Sequence, residues 1–302
     1  MQELIFVTGM GRSGTSTITR LLALCGAALP PLLVPAGPDN PMGFWEPSEA
    51  VALNDKFMNS WGSSWYDPTL RYGGPADTKN FIEEIAKLLR SSFGFNSVCI
   101  LKDPRISGLL DFWIAGAKLA GFRVKILHIF RNPDEVAASL AAREKLTLEH
   151  SQALWLKYNL KAERSTRHLL RVFVSYDQVM ADPDLALQRC SNSLCLNLAL
   201  SGTVRDDIHS FLHQDLRHHI ASNDVDVRDG TRSSWIRRVY QQLIMGTVSE
   251  YLNMSELDDV FNDIANNQDF IHLSMKGFKI AKDEYDNWLR SQDEGLLVLK
   301  SI

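Results

Sequence analysis

Cysteine is scarce in this chain. Cys25, Cys99, Cys190 and Cys195 are the only four in 302 residues, and they lack metal-type spacing. They lie mostly among apolar neighbours, so buried, reduced thiols are expected and a zinc site is not. Long hydrophobic runs are missing too. Nothing approaches the roughly 20 apolar residues of a membrane span, and the chain opens on a strand-like segment instead of a charged and then apolar leader. The expectation is a soluble, cytoplasmic protein with no integral membrane segment. There is no basic excess either. A formal net charge of −4 gives no broad attraction for nucleic acid or anionic membrane, so an anionic ligand must be held by local arginines and lysines. The pair His218-His219 has no cysteine or carboxylate spacing around it to complete a ligand set, and no metal is expected.

What the chain does have is a glycine-rich turn after an apolar run. Leu4-Ile5-Phe6-Val7-Thr8 feeds into Gly9-Met10-Gly11-Arg12-Ser13-Gly14-Thr15-Ser16, and Thr17 to Leu24 reads as a helix. A short buried strand, a glycine turn and a helix start make an anion site, because backbone N–H groups converge there and the helix dipole adds positive charge. On the pattern G-x-x-x-x-G-K-[ST], Gly9, Gly14 and Ser16 fit, but Thr15 stands where the lysine belongs. A nucleoside triphosphatase thereby loses its main cation. The charge has moved to Arg12, whose guanidinium can reach the same bound group. A sulfuryl group carries less charge than a γ-phosphate and needs neither that lysine nor Mg²⁺.

Gly11-Arg12-Ser13-Gly14-Thr15-Ser16 resembles the loop P-[KR]-S-G-T-[TS] of sulfotransferases that use 3'-phosphoadenosine-5'-phosphosulfate, with glycine in place of the proline. Its arginine form is similar to the tyrosylprotein and bacterial carbohydrate branches. A second segment bears this out. The strand Val124 to Phe130 ends at Arg131-Asn132-Pro133-Asp134-Glu135, where Asn132 can cap, Pro133 suits the first helical position and Glu135 completes a capping box. Arg131, Ser139 two turns into the helix, and Arg143 one turn later can converge on one phosphate monoester. That spacing resembles the family's element for the cofactor's 3'-phosphate. A nucleotide with phosphates at both 3' and 5' positions needs two anion sites, and the chain offers two.

The interval between these elements supplies the acceptor side. Ala28 to Pro47 carries six prolines among glycines and reads as a loop ending in Phe44-Trp45-Glu46-Pro47, before a helix from Ser48 to Asn59. Glu46 is the candidate base for the attacking hydroxyl, with Glu49 the other choice. Trp45, Trp61, Trp65 and Tyr66 suggest a pocket for a sugar face or a flat apolar acceptor. After a polar break at Arg71 to Thr78 and a helical pattern over Phe81 to Leu89, the strand Val98 to Leu101 ends at Lys102-Asp103-Pro104-Arg105, at the sheet edge where ligands bind. By resemblance to the tyrosylprotein-like members, Lys102 would face the sulfate, and Asp103 would orient Lys102 or Arg105.

Ile106 to Ala120 reads as a helix. His128, inside an apolar strand, is read as a packed histidine. Glu149 to Leu170 reads as a long helix, and Val172 to Tyr176 as a fourth strand. Tyr176-Asp177-Gln178-Val179 resembles the family's Y-[ED]-x-[LV], in which the tyrosine approaches the nucleotide. Strands alternating with helices predict an α/β fold, a P-loop-type parallel sheet flanked by helices as in sulfotransferases, with a mostly helical C-terminal part. The chain is expected to be one domain: residues 1–180 a nucleotide-binding core, residues 181–302 helical and a candidate lid. Helices are expected at Pro183 to Leu196, Ser233 to Tyr251 and Asp283 to Arg290. Ser255 to Asp269 reads as a solvated acidic segment, and the basic stretches at Arg217 and Arg228 as candidates to close the nucleotide.

The resulting expectation is sulfuryl transfer to a hydroxyl of a carbohydrate or glycosylated compound. Glu46, Lys102 and Arg12 would be catalytic, and Gly11, Arg12, Ser13, Gly14, Thr15, Ser16, Arg131, Ser139, Arg143 and Tyr176 would hold the cofactor, without metal. The rival readings are a P-loop small-molecule kinase using Mg²⁺, and a nucleotide-binding module without turnover.

Overall fold

The computed structural model describes residues 1–37, 40, 42–70, 78–212, 231–249, 251–267, 270 and 283. Among these residues four strands, β1 (Glu3–Thr8), β2 (Val98–Lys102), β3 (Arg123–Phe130) and β4 (Leu170–Ser175), form one parallel sheet in the order β2-β1-β3-β4. Val7 pairs with Lys102 on one side and Leu127 on the other, and Phe130 pairs with Ser175. The strand order reverses at β1. Chain segments leaving β1, β2 and β3 therefore emerge side by side at one sheet edge, the place where open α/β sheets bind ligands.

The strands are buried on both faces, so each reads as a nearly continuous apolar run. Successive side chains point to opposite sides. Leu4 and Phe6 join Cys99, Leu101 and Ile126 under α2 (Ser48–Ser60), α3 (Thr78–Phe93) and α4 (Pro104–Leu119). Ile5 and Val7 join Ile100, Leu127 and Ile129 under α1 (Thr15–Leu24), α8 (Pro183–Ser193) and α9 (Gly202–Leu212). A third cluster binds α5 (Pro133–Glu144) and α6 (Leu148–Ser165) to α10 (Thr231–Ser249) and α11 (Met254–Asn266), and α7 (Tyr176–Ala181) follows β4 directly. Among the described residues no helix is long and apolar enough to cross a membrane.

The fold class agrees with the sequence reading, and the differences lie at element boundaries. Helix α1 begins at Thr15, two residues before the apolar pattern, because Ile18 N–H already reaches the carbonyl of Gly14. Helix α6 stops at Ser165 instead of running to Leu170. The Thr166 hydroxyl takes the Ala162 and Glu163 carbonyls, and Leu169 N–H returns to Thr166, which turns the chain into β4. Helix α9 has no counterpart in the sequence reading. The acidic segment expected to be solvated is largely α11, which buries Leu257, Val260, Phe261 and Ile264 on one face. The break at 71–77, the basic stretches at 217–219 and 228–230, and all but Asp283 of the helix expected at 283–290 fall outside the described residues.

Candidate active site at the strand ends

The glycine turn is held from several sides. Gly9 lies so close to β3 that a Cβ there would meet the Ile129 carbonyl oxygen at 2.1 Å. Its N–H donates to Ser107 Oγ of α4 at 2.9 Å, and that hydroxyl donates back to the Gly9 carbonyl at 3.1 Å. Gly14 has φ +86 and a Cβ there would meet the Tyr176 ring at 2.2 Å, so only glycine fits. Helix α1 starts at this point with no side-chain cap and no acidic residue in its first turn. Its first-turn N–H groups have no intrahelical acceptors. Ser13 is fully buried, and its Oγ has no hydrogen-bond partner among the described residues. An unserved hydroxyl beside an uncapped helix start fits a phosphate, whose oxygens would satisfy both. The Ser13 N–H itself turns inward to Met10 O at 3.2 Å.

Lys102, at the end of β2, has its ammonium 2% exposed and fully engaged. It donates to Ser16 Oγ at 3.0 Å, to the Phe44 carbonyl at 2.8 Å and to Glu46 Oε1 at 2.7 Å. Ser16 Oγ donates to the same Phe44 carbonyl at 3.0 Å. The other Glu46 oxygen lies 3.8 Å from the Arg105 guanidinium. Arg105 is braced by Asp55 Oδ1 at 2.7 Å and Asp103 Oδ1 at 3.0 Å. Behind them Asn54 donates to Asp103 at 2.9 Å and accepts from Trp113 at 2.8 Å. Burial opposes the Arg105 charge, but Asp103, Asp55 and Glu46 more than offset it and hold its pKa above the ordinary value. Asp55 is pushed up, first by burial and then by Asp103 and Glu46, against the pull of Arg105. Asp103 therefore orients Arg105, one of the two roles foreseen for it. Glu46 lines the cavity, whereas Glu49 is exposed on the first turn of α2.

The second anion element divides. Ser139 comes to Arg12, whose Nε donates to Ser139 Oγ at 2.9 Å. Arg131 pairs with Glu135 at 2.5 Å, and its guanidinium lies 4.8 Å over the Tyr176 ring that packs on Gly14. Asn132 caps α5 through the Asp134 N–H, while Glu135, foreseen as the far half of a capping box, reaches back to Arg131. Arg143 stands at the cavity wall, its guanidinium 5.4 Å from the Phe44 ring and 3.0 Å from Glu144. Loop and second element are thus joined through Arg12 and Ser139, and Gly14 and Arg131 both lie against the Tyr176 ring.

A cavity of about 810 Å³ opens between these groups, a size ordinary for small-molecule sites. Gly11, Arg12, Glu46, Arg105 and Arg143 line it together with Met10, Val34, Phe44, Val51, Leu140, Trp65 and Tyr66. Of the aromatic group picked out in sequence, only Trp65 and Tyr66 are cavity lining. Trp61 packs on Phe57 and Phe112, and Trp45 turns toward Gly43 with Arg20 over its ring. Trp45 also has φ +58, an unusual conformation for a bulky residue, which lets Phe44 and Glu46 on either side of it both reach Lys102. Sequence reasoning gave no role to Phe44, Asp55 or Glu144. Their roles come from backbone direction and long-range contact, and no local pattern marks either. His128 is packed as expected, between Thr8 Oγ1 and Asn159 Oδ1 at 2.9 Å each, and burial drives its pKa down to about 4.

The sequence matches no protein-family model and no curated protein. Solved structures similar to it include a sulfotransferase from Mycobacterium tuberculosis, 15% identical over 70% of this chain and 72% of that one, TM-score 0.42. Another is a sulfotransferase from Mycobacterium avium, 14% identical over 88% and 77%, TM-score 0.46. The sulfotransferase domain from the curacin biosynthetic pathway is 13% identical over 88% and 99%, TM-score 0.43. Likeness at this level says nothing of activity, and the functional reading rests on the site itself.

Proposed function

We propose that this chain is a sulfotransferase that moves a sulfuryl group from 3'-phosphoadenosine-5'-phosphosulfate to an acceptor hydroxyl. The observation that carries the reading is the ammonium of Lys102, which touches the donor-loop hydroxyl of Ser16 and the carboxylate of Glu46 at once. Donor side and base side of a transfer reaction meet at that one cation.

In this reading the loop Gly11 to Ser16, through the first-turn N–H groups of α1 and the Ser13 hydroxyl, takes the 5'-phosphate, while Ser139, Arg131 and Arg143 serve the 3'-phosphate, with Tyr176 as the floor of the loop. The donor supplies an activated sulfur: the acceptor oxygen bonds to it as its bond to the phosphate oxygen breaks. Glu46 accepts the proton that the acceptor hydroxyl gives up. Arg12 and Lys102 neutralise charge gathering on the sulfuryl and bridging oxygens, from positions already fixed before reaction. Arg105, held by two aspartates, keeps Glu46 in place.

Trp65 and Tyr66 form the acceptor wall, and their faces suit the C–H face of a sugar ring, so the acceptor is a carbohydrate or glycosylated compound. The loop and the Arg131, Ser139, Arg143 spacing support the tyrosylprotein and carbohydrate branch. Residues 1–180 would carry the donor core, and the helical remainder would close over it. The kinase reading needs Mg²⁺ at Ser16, and there Lys102 already places a cation 3.0 Å from the hydroxyl.

The test is formation of 3'-phosphoadenosine-5'-phosphate from the donor when glycosylated acceptors are supplied. Glu46→Gln is expected to lose about 10²- to 10⁴-fold in turnover while still binding the bisphosphate product. Unchanged turnover in Glu46→Gln would remove the base from the scheme.

A further inference from the structure

Helix α6 is buried over almost its whole length, and one of its faces carries side chains that the reaction scheme does not use. Four of them, His150, Lys157, Tyr158 and Lys161, point at backbone carbonyls of a single short segment. Tyr158 Oη donates to the Trp65 carbonyl at 2.9 Å, and His150 Nε2 bonds the Tyr66 carbonyl at 2.6 Å. Lys157 Nζ bonds the Asp67 carbonyl, and Lys161 Nζ the Leu70 carbonyl at 3.3 Å. The positions 150, 157, 158 and 161 recur at helical spacing, so the four groups form one stripe.

A loop buried at its carbonyls needs partners for them, and neutral donors would suffice. Lysines are a costly choice, because burying an ammonium is unfavourable. Lys157 is wholly buried; burial pushes its pKa down to about 8, with Asp67 of the loop acting against this and Lys161 of α6 adding to it. Burial likewise lowers Lys161, against Asp111 of α4 and Asp67. What the segment gains is a fixed position at the cavity. Its Trp65 and Tyr66 rings lie 3.6 Å apart and line the wall, and the Tyr66 hydroxyl is tied to Glu144 at 2.8 Å on the far side.

We propose that His150, Lys157, Tyr158 and Lys161 are positioning residues for the acceptor: by capturing the carbonyls of Trp65, Tyr66, Asp67 and Leu70 they hold the Trp65–Tyr66 wall opposite Glu46 and so determine which acceptors fit. This rests on the sulfotransferase reading for the word acceptor, but the clamp itself can be tested without turnover. The glycine turn itself is held by other elements, β1, β3 and α4; the donor side meets the clamped segment only at its edge, where Arg143 pairs with the Glu144 that also holds the Tyr66 hydroxyl.

Acrylamide quenching of Trp65, taken as the difference between each protein and the same protein carrying Trp65→Phe, is to be compared for wild type, Lys157→Met and Lys157→Arg. Phenyl β-glucoside serves as the acceptor probe, and the melting shift with 3'-phosphoadenosine-5'-phosphate reports the donor site. Lys157→Met should expose Trp65 and weaken the glucoside about tenfold, a loss typical of one misplaced aromatic contact, while the bisphosphate shift is retained. Lys157→Arg should restore Trp65 and glucoside together. His150→Ala and its donor-retaining counterpart His150→Gln repeat the comparison should Lys157→Met not fold. Unchanged Trp65 quenching in both disabled variants overturns the clamp. So does parallel loss of the bisphosphate shift, which would mark a general structural role. Absence of glucoside binding in wild type overturns the acceptor role. A wild type that ignores the bisphosphate overturns the sulfotransferase reading instead, while the Trp65 comparison still decides the clamp.

Discussion

The two sides of the cavity are built by opposite means. The glycine turn, proposed above for the donor's 5'-phosphate, is backbone: Gly9, Gly14 and the uncapped start of α1 act through N–H groups and close approach within one short segment, with the side chains of Arg12 and Ser139 set beside it. The wall proposed for the acceptor is side chain: Trp65 and Tyr66 stand on a loop whose carbonyls are bonded by α6, more than eighty residues later in the chain. A ligand common to all substrates of an enzyme is served by geometry that tolerates little change. A variable ligand is served by side chains that can be exchanged singly. Between the two stands the Lys102, Glu46 and Arg105 group, which belongs to both.

Breaking the donor side should have the largest effect. Gly14→Ala puts a methyl group 2.2 Å from the Tyr176 ring at φ +86. Bisphosphate binding is expected to fall by about two orders of magnitude, the scale of losing preorganised donors, and equilibrium unfolding should show a cost of about 1–3 kcal/mol from the strained backbone alone. Trp65 quenching should be unmoved. Lys102→Met comes next: it removes the cation shared by Ser16 and Glu46, and turnover should drop about 10²- to 10³-fold in a product-release assay. Binding of the bisphosphate should suffer much less.

Trp65→Ala tests the other side. The acceptor KM should rise about tenfold, on the scale of one aromatic contact, with the donor KM unchanged in two-substrate kinetics. A matching rise in donor KM would mean that the two sides are not separate.

The last effect concerns the joint between them and is read in stability, not in turnover. His128 on β3 links Thr8, just before the glycine turn, to Asn159 of α6. Its pKa is depressed to about 4 in the folded chain, against about 6.5 when unfolded. Above pH 6.5 both states are neutral and nothing changes. Between the two values only the unfolded chain takes the proton, so folded stability should fall as pH drops, by up to about 1.4 kcal/mol per pH unit from this group. Urea denaturation across that window, with His128→Gln as the flattened control, measures it.

The same contrast explains what the sequence could reveal. Strands, the glycine turn and the caps of α5 are local, so Leu4 to Ser16 and Arg131 to Pro133 announce themselves by periodicity and residue type. Lys102 was legible because it ends a strand at the ligand edge. Glu46 was legible only as one of two carboxylates near a helix start, and it took the contacts of Phe44 and Glu46 with Lys102 to set it apart from Glu49. Arg105 was visible without a role, and Phe44 acts through its carbonyl, which no side-chain pattern reports. The α6 stripe was hidden most deeply. His150, Lys157 and Lys161 look like ordinary polar positions of an amphipathic helix, and Tyr158 like one of its apolar positions, until the segment at 65–70 is packed against them. The acidic stretch at Ser255 misled for a related reason: composition outweighed the spacing of Leu257, Val260, Phe261 and Ile264 that makes α11.

In the proposed reaction the glycine turn and the Arg131, Ser139, Arg143 element together hold a nucleotide phosphorylated at both its 3' and 5' positions. Calorimetric titration with 3'-phosphoadenosine-5'-phosphate without metal, beside ATP with Mg²⁺, addresses it directly. One bisphosphate is expected to bind per chain, weakened in Arg12→Ala and in Arg131→Ala, with no comparable heat from ATP with Mg²⁺. Binding of ATP with Mg²⁺ by a protein that leaves the bisphosphate untouched would contradict it and return the site to the kinase reading.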